Sequence, residues 1–252
     1  MPHEPPTLAE MAQVSHTLVG KTAVVTGASR GIGRAIALAF AGAGAAVGLI
    51  ARTRQDLERA ACDAAAAGES GERPAHVATA VADVANAKAV ADAATVLRKA
   101  LGPVDVVVNN AGAVTRKRLA ELSDAEWRRV LAVNLDGTFY VTRAFAADLV
   151  ARRGRIINIA SIAGREGTPL LSAYCAAKHG VVGLTRALAE ELRADGVAVN
   201  AICPGSVDTD MLREGLPGAL PEMIPDDIAR VALFLAASAP RVLTGACLDV
   251  FG

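Results

Sequence analysis

The sequence predicts an α/β protein: one domain built on a doubly wound sheet of seven parallel strands, with helices on both faces. Three observations carry that expectation. From Lys21 onward, seven short runs rich in β-branched residues alternate with six alanine-rich amphipathic stretches. The composition is 52% hydrophobic but only 3% aromatic, so the core must be assembled from small aliphatic side chains in close contact. Glycine, asparagine, aspartate and serine recur at the ends of successive runs, where open α/β sheets bind their ligands.

Taken in order, residues 1–16 carry three prolines and no sustained periodicity, and are expected to form a flexible arm. Thr7 and Glu10 have capping-box spacing, which suits one short helix over 8–14. The domain proper is expected to span 17–252. Its strand-like runs are TAVVTG (22–27), AAVGLIA (45–51), AHVATAV (75–81), VDVVVNN (104–110), RIINIAS (155–161), VAVNAIC (197–203) and ACLDVF (246–251). The helical stretches between them are 31–44, 54–67, 85–101, 124–151, 172–195 and 226–238. Near-continuous apolar runs of this kind suit strands buried on both faces, and right-handed crossovers then place helices on each side.

Several function classes are excluded early. Lys and Arg (26) balance Asp and Glu (26), with no basic face of the sort that duplex binding requires, so no nucleic-acid partner is expected. The uncharged stretch 35–51 is interrupted by Gly42, Gly44 and Gly48, and a helix, a turn and a strand explain it better than a membrane span. Four scattered cysteines, no CxxC pair and no secretory leader point to reduced thiols and a cytoplasmic protein. No metal site is expected.

The strand ends hold the candidate chemistry. After the first strand, Gly27, Ser29, Arg30, Gly31, Ile32 and Gly33 form a glycine-rich turn opening a helix. Such a turn lets backbone N–H groups and the helix dipole meet a pyrophosphate. The spacing is G-x-x-x-G-x-G rather than the usual dinucleotide fingerprint. The second strand ends without an acid, at Arg52 and Thr53; an acid there would hold a ribose 2′-hydroxyl, whereas Arg52 and Arg30 suit a 2′-phosphate. That pattern points to NADP(H). After the third strand, Asp83, followed by Val84, reads equally as an adenine acceptor or a plain helix cap. Asn110, Ala111 and Gly112 close the fourth strand, Gly112 allowing close approach. Tyr174 lies four residues before Lys178, on one face of a helix. An adjacent ammonium is expected to lower the phenol's pKa, and Ser161, at the fifth strand end, can donate to the same substrate oxygen.

TGASRGIG (26–33), NNAG (109–112), VNL (133–135), a serine thirteen residues before YCAAK (174–178), and NAICPGSVDT (200–209) together resemble the classical short-chain dehydrogenase/reductases, and among them the 3-oxoacyl carrier-protein reductases. The resemblance covers residues 18–252 and implies a Rossmann-type fold with a catalytic tetrad of Asn134, Ser161, Tyr174 and Lys178. It implies that Asn134 anchors a water in a proton relay, and that Lys178 also binds the nicotinamide ribose. Pro204, Gly205, Val207 and Thr209 would then lie along the nicotinamide. It further implies a homotetramer, with a homodimer as the smaller alternative. The segment between Thr209 and Pro225, which forms a substrate lid in relatives, looks short, and the C-terminus departs from the family's usual VDGG ending.

The expected activity is NADPH-dependent reduction of a ketone to a secondary alcohol, with Tyr174 as general acid. A small-molecule carbonyl or alcohol is the expected partner, and a carrier-bound acyl thioester is one candidate. Arg116, Lys117 and Arg118 suit an acidic carrier protein, whereas Asp195 argues against one. Ile162, Leu170 and Leu171 suggest an apolar pocket wall, with Arg165 and Glu166 either polar pocket groups or an exposed pair. The alternatives are an NAD-dependent dehydrogenase of a sugar or other secondary alcohol, and a non-catalytic NADP(H)-sensing regulator.

Overall fold

The structure, a computed structural model, describes residues 17–68 and 76–251. The expected arm and its short helix lie outside the described residues. Seven strands form one parallel sheet: β1 (Thr22–Thr26), β2 (Ala46–Ala51), β3 (Val77–Val81), β4 (Val106–Asn109), β5 (Arg155–Ile159), β6 (Ala198–Pro204) and β7 (Cys247–Val250). Their spatial order is β3-β2-β1-β4-β5-β6-β7, so the direction of winding reverses between β1 and β4. The register there pairs Ala23 with Val106 and Val25 with Val108. This reversal leaves a crevice beyond the carboxyl ends of β1 and β4.

The period-two alternation divides the core in two. Ala23, Val25, Leu49, Val108, Ile157 and Ile202 face one side, where they meet α1 (Gly31–Gly42), α2 (Arg54–Gly68) and α8 (Pro225–Leu233). Val24, Ile50, Val107, Ile156 and Val199 face the other, against α3 (Ala87–Leu101) and α5 (Gly137–Arg152). Both faces are thus covered, as the near-continuous apolar runs predict. Phe40 and Phe145 are the largest fully buried side chains, one in each layer. No helix of the described residues is long and apolar enough to cross a membrane.

The expected helix over 124–151 is not one α-helix. It begins at α4 (Asp124–Leu131), with Ser123 and Glu126 forming a reciprocal capping box. It then widens into a π-helical turn over Ala132–Asp136 before continuing as α5. A 3.6-residue hydrophobic period carries no signal for one inserted residue, so the pattern could not reveal the bulge. Wide turns of this type often mark functional positions, and this one contains Asn134. The stretch expected at 172–195 ends sooner, as α6 (Ser172–Glu191), and the stretch at 226–238 finishes in a second π-helical turn over Phe234–Ser238.

A polar chain crosses the sheet beneath the crevice. Asn109 Nδ2 donates to Thr142 Oγ1 and to Asn158 Oδ1, both at 2.9 Å. Asn158 Nδ2 donates in turn to Thr185 Oγ1 at 2.8 Å. These bonds tie β4 and β5 to α5 and α6 with no water in between. Although Asn109 Oδ1 has no protein partner, the buried amide donors are all engaged and fix one relative placement of the helices, because any slip would strand a donor in an apolar layer.

Two glycines in the chain are expected to respond oppositely to alanine. A Cβ at Gly33 would lie 2.4 Å from the Gly27 carbonyl oxygen and 2.4 Å from Asn110 Nδ2, whereas one at Gly183 in α6 would meet nothing within 4 Å. Gly33→Ala should therefore destabilise by about 1–3 kcal/mol, while Gly183→Ala should stabilise by about 0.5–1 kcal/mol through helix propensity. Urea denaturation of the two variants checks both signs.

Candidate active site

The crevice is a cleft of about 660 Å³ that runs from the glycine turn across the ends of β4 and β5 to the residues after β6. Its first wall is the β1–α1 turn. Gly27 and Gly31 have positive φ values of 63° and 53°, which glycine adopts without steric strain. The turn is held by Asn110, whose Nδ2 donates to the carbonyl oxygens of Thr26 (2.9 Å) and Gly27 (3.3 Å). Thr26 Oγ1 accepts in return from the backbone N–H groups of Asn110 (3.0 Å) and Ala111 (3.1 Å). The N-terminus of α1 has no side-chain cap and no acidic residue in its first turn. Its free N–H groups and positive dipole end therefore open toward the cleft without a protein partner, which suits an anionic phosphate. The residues present thus fit a dinucleotide.

Most of the expected cofactor residues line this cleft: Gly27, Ser29, Arg30, Gly31, Ile32, Arg52, Thr53, Asp83, Val84, Asn110, Ala111, Gly112, Pro204, Gly205, Val207 and Thr209. Gly33 does not. It is buried against Gly27 and Asn110, and its role is close packing of helix on turn. Arg30 also departs from expectation, because its guanidinium is paired with Asp210 at 3.1 Å instead of standing free. Both partners are largely exposed, so the pair is worth at most about 1 kcal/mol and yields readily to a stronger anion. Asp83 is not a helix cap; Asn86 caps α3. Burial works against its charge, but the Ala85 N–H and the Arg129 guanidinium at 2.9 Å outweigh that and hold its carboxyl below the ordinary value.

The second wall carries the expected catalytic groups. Ser161 follows β5 and opens the short turn Ile162–Gly164, its Oγ accepting from Ala163 N–H at 3.1 Å. That turn lies directly on α6: a Cβ at Gly164 would sit 2.7 Å from the Lys178 carbonyl oxygen. The missing side chain lets the serine approach the helix bearing Tyr174 and Lys178, and all three line the cleft. Asn134 is placed differently. It is buried behind the cleft wall, its Nδ2 donating to Ala113 O (2.7 Å) and Val130 O (2.8 Å), while its Oδ1 has no protein partner.

The expectation of an acidified phenol is corrected. Burial pushes the Tyr174 phenol up to about 12, and the Ser161 hydrogen bond recovers only part of that. Lys178 does not aim at the hydroxyl: its Nζ donates to Ile159 O at 2.8 Å and lies 5.5 Å from the centre of the tyrosine ring. Burial pulls the lysine down to about 8, with Cys203 acting weakly in the opposite sense. In this state Lys178, not Tyr174, titrates closest to neutral pH.

Beyond these residues, the cleft is bounded by Val114, Ile162, Leu171, Met211 and Leu216, with Glu214 and Glu222 also on its wall. Ile162 and Leu171 are where the sequence placed them. Leu170 is not on the cleft, and Arg165 turns away to pair with Asp249 at 3.5 Å. Arg129, Met211 and Phe251 line the cleft but were not foreseen. Phe251 is delivered by a bond from Gly205 N–H to Val250 O at 2.9 Å, a long-range pairing with no local sequence signal. The described residues contain no group of three or more side chains able to hold a metal ion.

A family model described as short chain dehydrogenase matches residues 21–218. The chain belongs to the short-chain dehydrogenase family. It is therefore an oxidoreductase of the CH–OH/C=O class that uses a nicotinamide cofactor. It is 41% identical to a galactitol 2-dehydrogenase (L-tagatose-forming) of Cereibacter sphaeroides, over 93% of this chain and 95% of that one. It is 40% identical to a 3-oxoacyl-acyl-carrier-protein reductase of Pseudomonas aeruginosa, over 94% and 98%. The solved structure of a putative NAD(P) dependent gluconate 5-dehydrogenase from Beutenbergia cavernae, with bound NADP, superposes with a TM-score of 0.84 at 39% identity, covering 93% and 96%.

The lysine shift has a consequence for stability. An amine titrating at 10.5 in the unfolded chain and about 8 when folded leaves the unfolded state binding more protons between those values, so this group's contribution rises with pH. A Lys178→Met dehydrogenase lacks that slope. Its stability relative to wild type should fall steadily from pH 8 to pH 10, as read by chemical denaturation without cofactor.

Proposed function

We propose that this short-chain dehydrogenase is an NADP(H)-dependent carbonyl reductase that converts a ketone to a secondary alcohol and runs reversibly. The observation that carries the reading is the convergence of Tyr174, Ser161 and Lys178 on a cleft wall continuous with the glycine turn. Bound there, the cofactor supplies the hydride for reduction or accepts it for oxidation. Tyr174 delivers the proton to the carbonyl oxygen. Ser161 donates a second hydrogen bond to that oxygen and so favours charge developing on it. Lys178 exchanges protons near neutral pH and restores the phenol. Asn134, with one carbonyl oxygen unpartnered, accepts from a bridging water and extends that path.

For the cofactor, Arg52 faces the cleft at the end of β2 with no acid beside it in sequence, which supports selection of a 2′-phosphate. Arg30 joins it once released from Asp210. For the substrate, the apolar wall of Val114, Ile162, Leu171, Met211 and Leu216 favours an apolar substituent. The reading as an NAD-dependent sugar dehydrogenase would rest instead on Glu214 and Glu222 of the same wall, since a hydroxyl turned toward the apolar side chains costs about 1–3 kcal/mol if left unpaired. A carrier-bound thioester remains compatible with the cleft, although Lys117 is engaged by Glu126 at 2.7 Å and only Arg116 and Arg118 of that basic loop stand exposed.

Replacing Tyr174 by Phe should lower ketone-dependent NADPH oxidation by about 10²–10⁴ while leaving NADPH affinity nearly intact, as measured by fluorescence titration. Normal turnover in that variant would sink the mechanism. Arg52→Asp should shift the ratio of NADPH to NADH affinity by about 10- to 100-fold toward NADH, the worth of a charge-assisted hydrogen bond. An unmoved ratio would mean that Arg52 takes no part in cofactor choice.

A further inference from the structure

One contact in the cleft belongs to neither the cofactor site nor the proton path. The Tyr174 hydroxyl donates to the Met211 sulfur, Oη to Sδ 3.8 Å. The other end of the same side chain reaches across the cleft, its Cε lying 3.1 Å from where a Cβ on Gly112 would stand. Met211 thus spans from the candidate catalytic hydroxyl to the loop after β4. It packs there with Val114, Leu171 and Leu216. We propose that Met211 is a resident cap on the catalytic hydroxyl, and that a substrate reacts only by replacing it with an unbranched apolar substituent of its own. This rests on the proposed reduction at Tyr174.

The geometry makes displacement necessary. A carbonyl oxygen taking the phenol's proton must come to roughly 2.7–2.8 Å from Oη with the O–H aimed at it. In the capped state that O–H is aimed at sulfur. A thioether is a weak acceptor, so the hydroxyl is covered without being tightly bound, and methionine's three rotatable bonds let it withdraw.

The cap is presented by a small, well-fastened element. Met211 is the second residue of α7 (Asp210–Gly215), which Thr209 caps by accepting from Leu212 N–H at 3.3 Å. Arg213 braces the helix start through Asp208 (2.6 Å) and Asp210 (3.1 Å), and Asp210 reaches Arg30 on the glycine turn. Past the helix, Gly218 adopts φ 85°, and the segment returns where Val207 pairs with Met223. The element that carries the cap is therefore tied to the cofactor-facing turn by one exposed ion pair. Its place over Tyr174 also explains why so little of that side chain reaches solvent.

The shape of the cap sets the selection. A side chain that is narrow, unbranched and apolar is held between Gly112 and the Val114–Leu171 wall. A substrate arm of the same form replaces it with the least repacking, whereas a branched or cyclic arm needs more room than the cap vacates. Shortening Met211 to alanine enlarges that room.

The test has two readouts. The first needs neither cofactor nor substrate. Tyr140 and Tyr174 are the two tyrosines, so a Tyr140→Phe background leaves one phenol to follow by its phenolate absorbance. At about pH 10.5 a phenol titrating near 12 is almost wholly protonated, whereas one near 10 is mostly ionised. Met211→Ala should expose the hydroxyl and produce strong phenolate absorbance at that pH, while Met211→Leu, which keeps the bulk, should not. The second is the ratio of kcat/KM for a cyclic ketone to that for a linear methyl ketone, which Met211→Ala should raise by on the order of tenfold. Phenolate absorbance unchanged by Met211→Ala overturns the cap, and an unchanged ratio overturns the selection. An absorbance that responds in a protein reducing no ketone keeps the cap and removes the proposed function instead.

Discussion

The whole site hangs on one side chain at the point where the sheet reverses its winding. Asn110 reaches from the end of β4 to the carbonyls that end β1 and begin the glycine turn, while Thr26 answers with bonds to the Asn110 and Ala111 amides. At a winding reversal the two neighbouring strands send their following helices to opposite faces, so beyond the β1–β4 ladder it is this clamp that ties the loops leaving them. Without the clamp, the two loops would be held only through the strands that carry them. Gly33 completes it from the other side, since its lack of a side chain lets α1 sit directly against Gly27 and the Asn110 amide. The glycine turn and the loop after β4 are therefore one rigid piece, which suits precise positioning of a bound ligand.

A second constraint aligns that piece with the wall that carries Ser161, Tyr174 and Lys178. The chain Asn109–Asn158–Thr185 lies beneath the cleft and locks α6 to the sheet about two turns beyond Lys178. Gly164 then fixes the Ser161 turn on the same helix. Tyr174, Lys178 and Ser161 are thus referenced to β5, and the glycine turn to β4, and β4 and β5 pair in register from Val106–Arg155 to Asn109–Asn158. Each is carried by rigid elements, which suits a reaction whose rate falls steeply with an ångström of misplacement.

What was legible in the sequence follows from this division. The five inner strands, buried on both faces, announce themselves through unbroken apolar character, and the half-buried edge strands β3 and β7 through short apolar runs spaced like them, so all seven strands and the placement of the glycine turn, the NNAG loop and the Tyr174–Lys178 face could be read directly. Features set by contacts distant in sequence could not. Arg30 looked free because Asp210 lies 180 positions away. Phe251 reaches the cleft only through the β6–β7 edge. Met211 carries no signal of its own in the sequence, and only the folded chain reveals that it meets a phenol. The direction of the Tyr174 shift is hidden in the sequence for a related reason. Spacing reveals that an amine is near, but not that its ammonium is already committed to a backbone carbonyl or that the ring is buried.

The raised phenol changes how the proposed chemistry is best understood. An already acidified phenol would spend part of its time as phenolate and could not donate a proton in that state. A phenol raised by burial is protonated at any physiological pH and so holds the proton it would donate, while its phenolate is costly. Burial shifts Lys178 in the complementary direction, to about 8, where protonated and neutral forms are both accessible. Desolvation disfavours the two charged forms alike, so the resting wall tends toward a neutral phenol beside a readily titrated amine. For the proposed reduction, burial thus supports the phenol as proton donor and the amine as its reservoir.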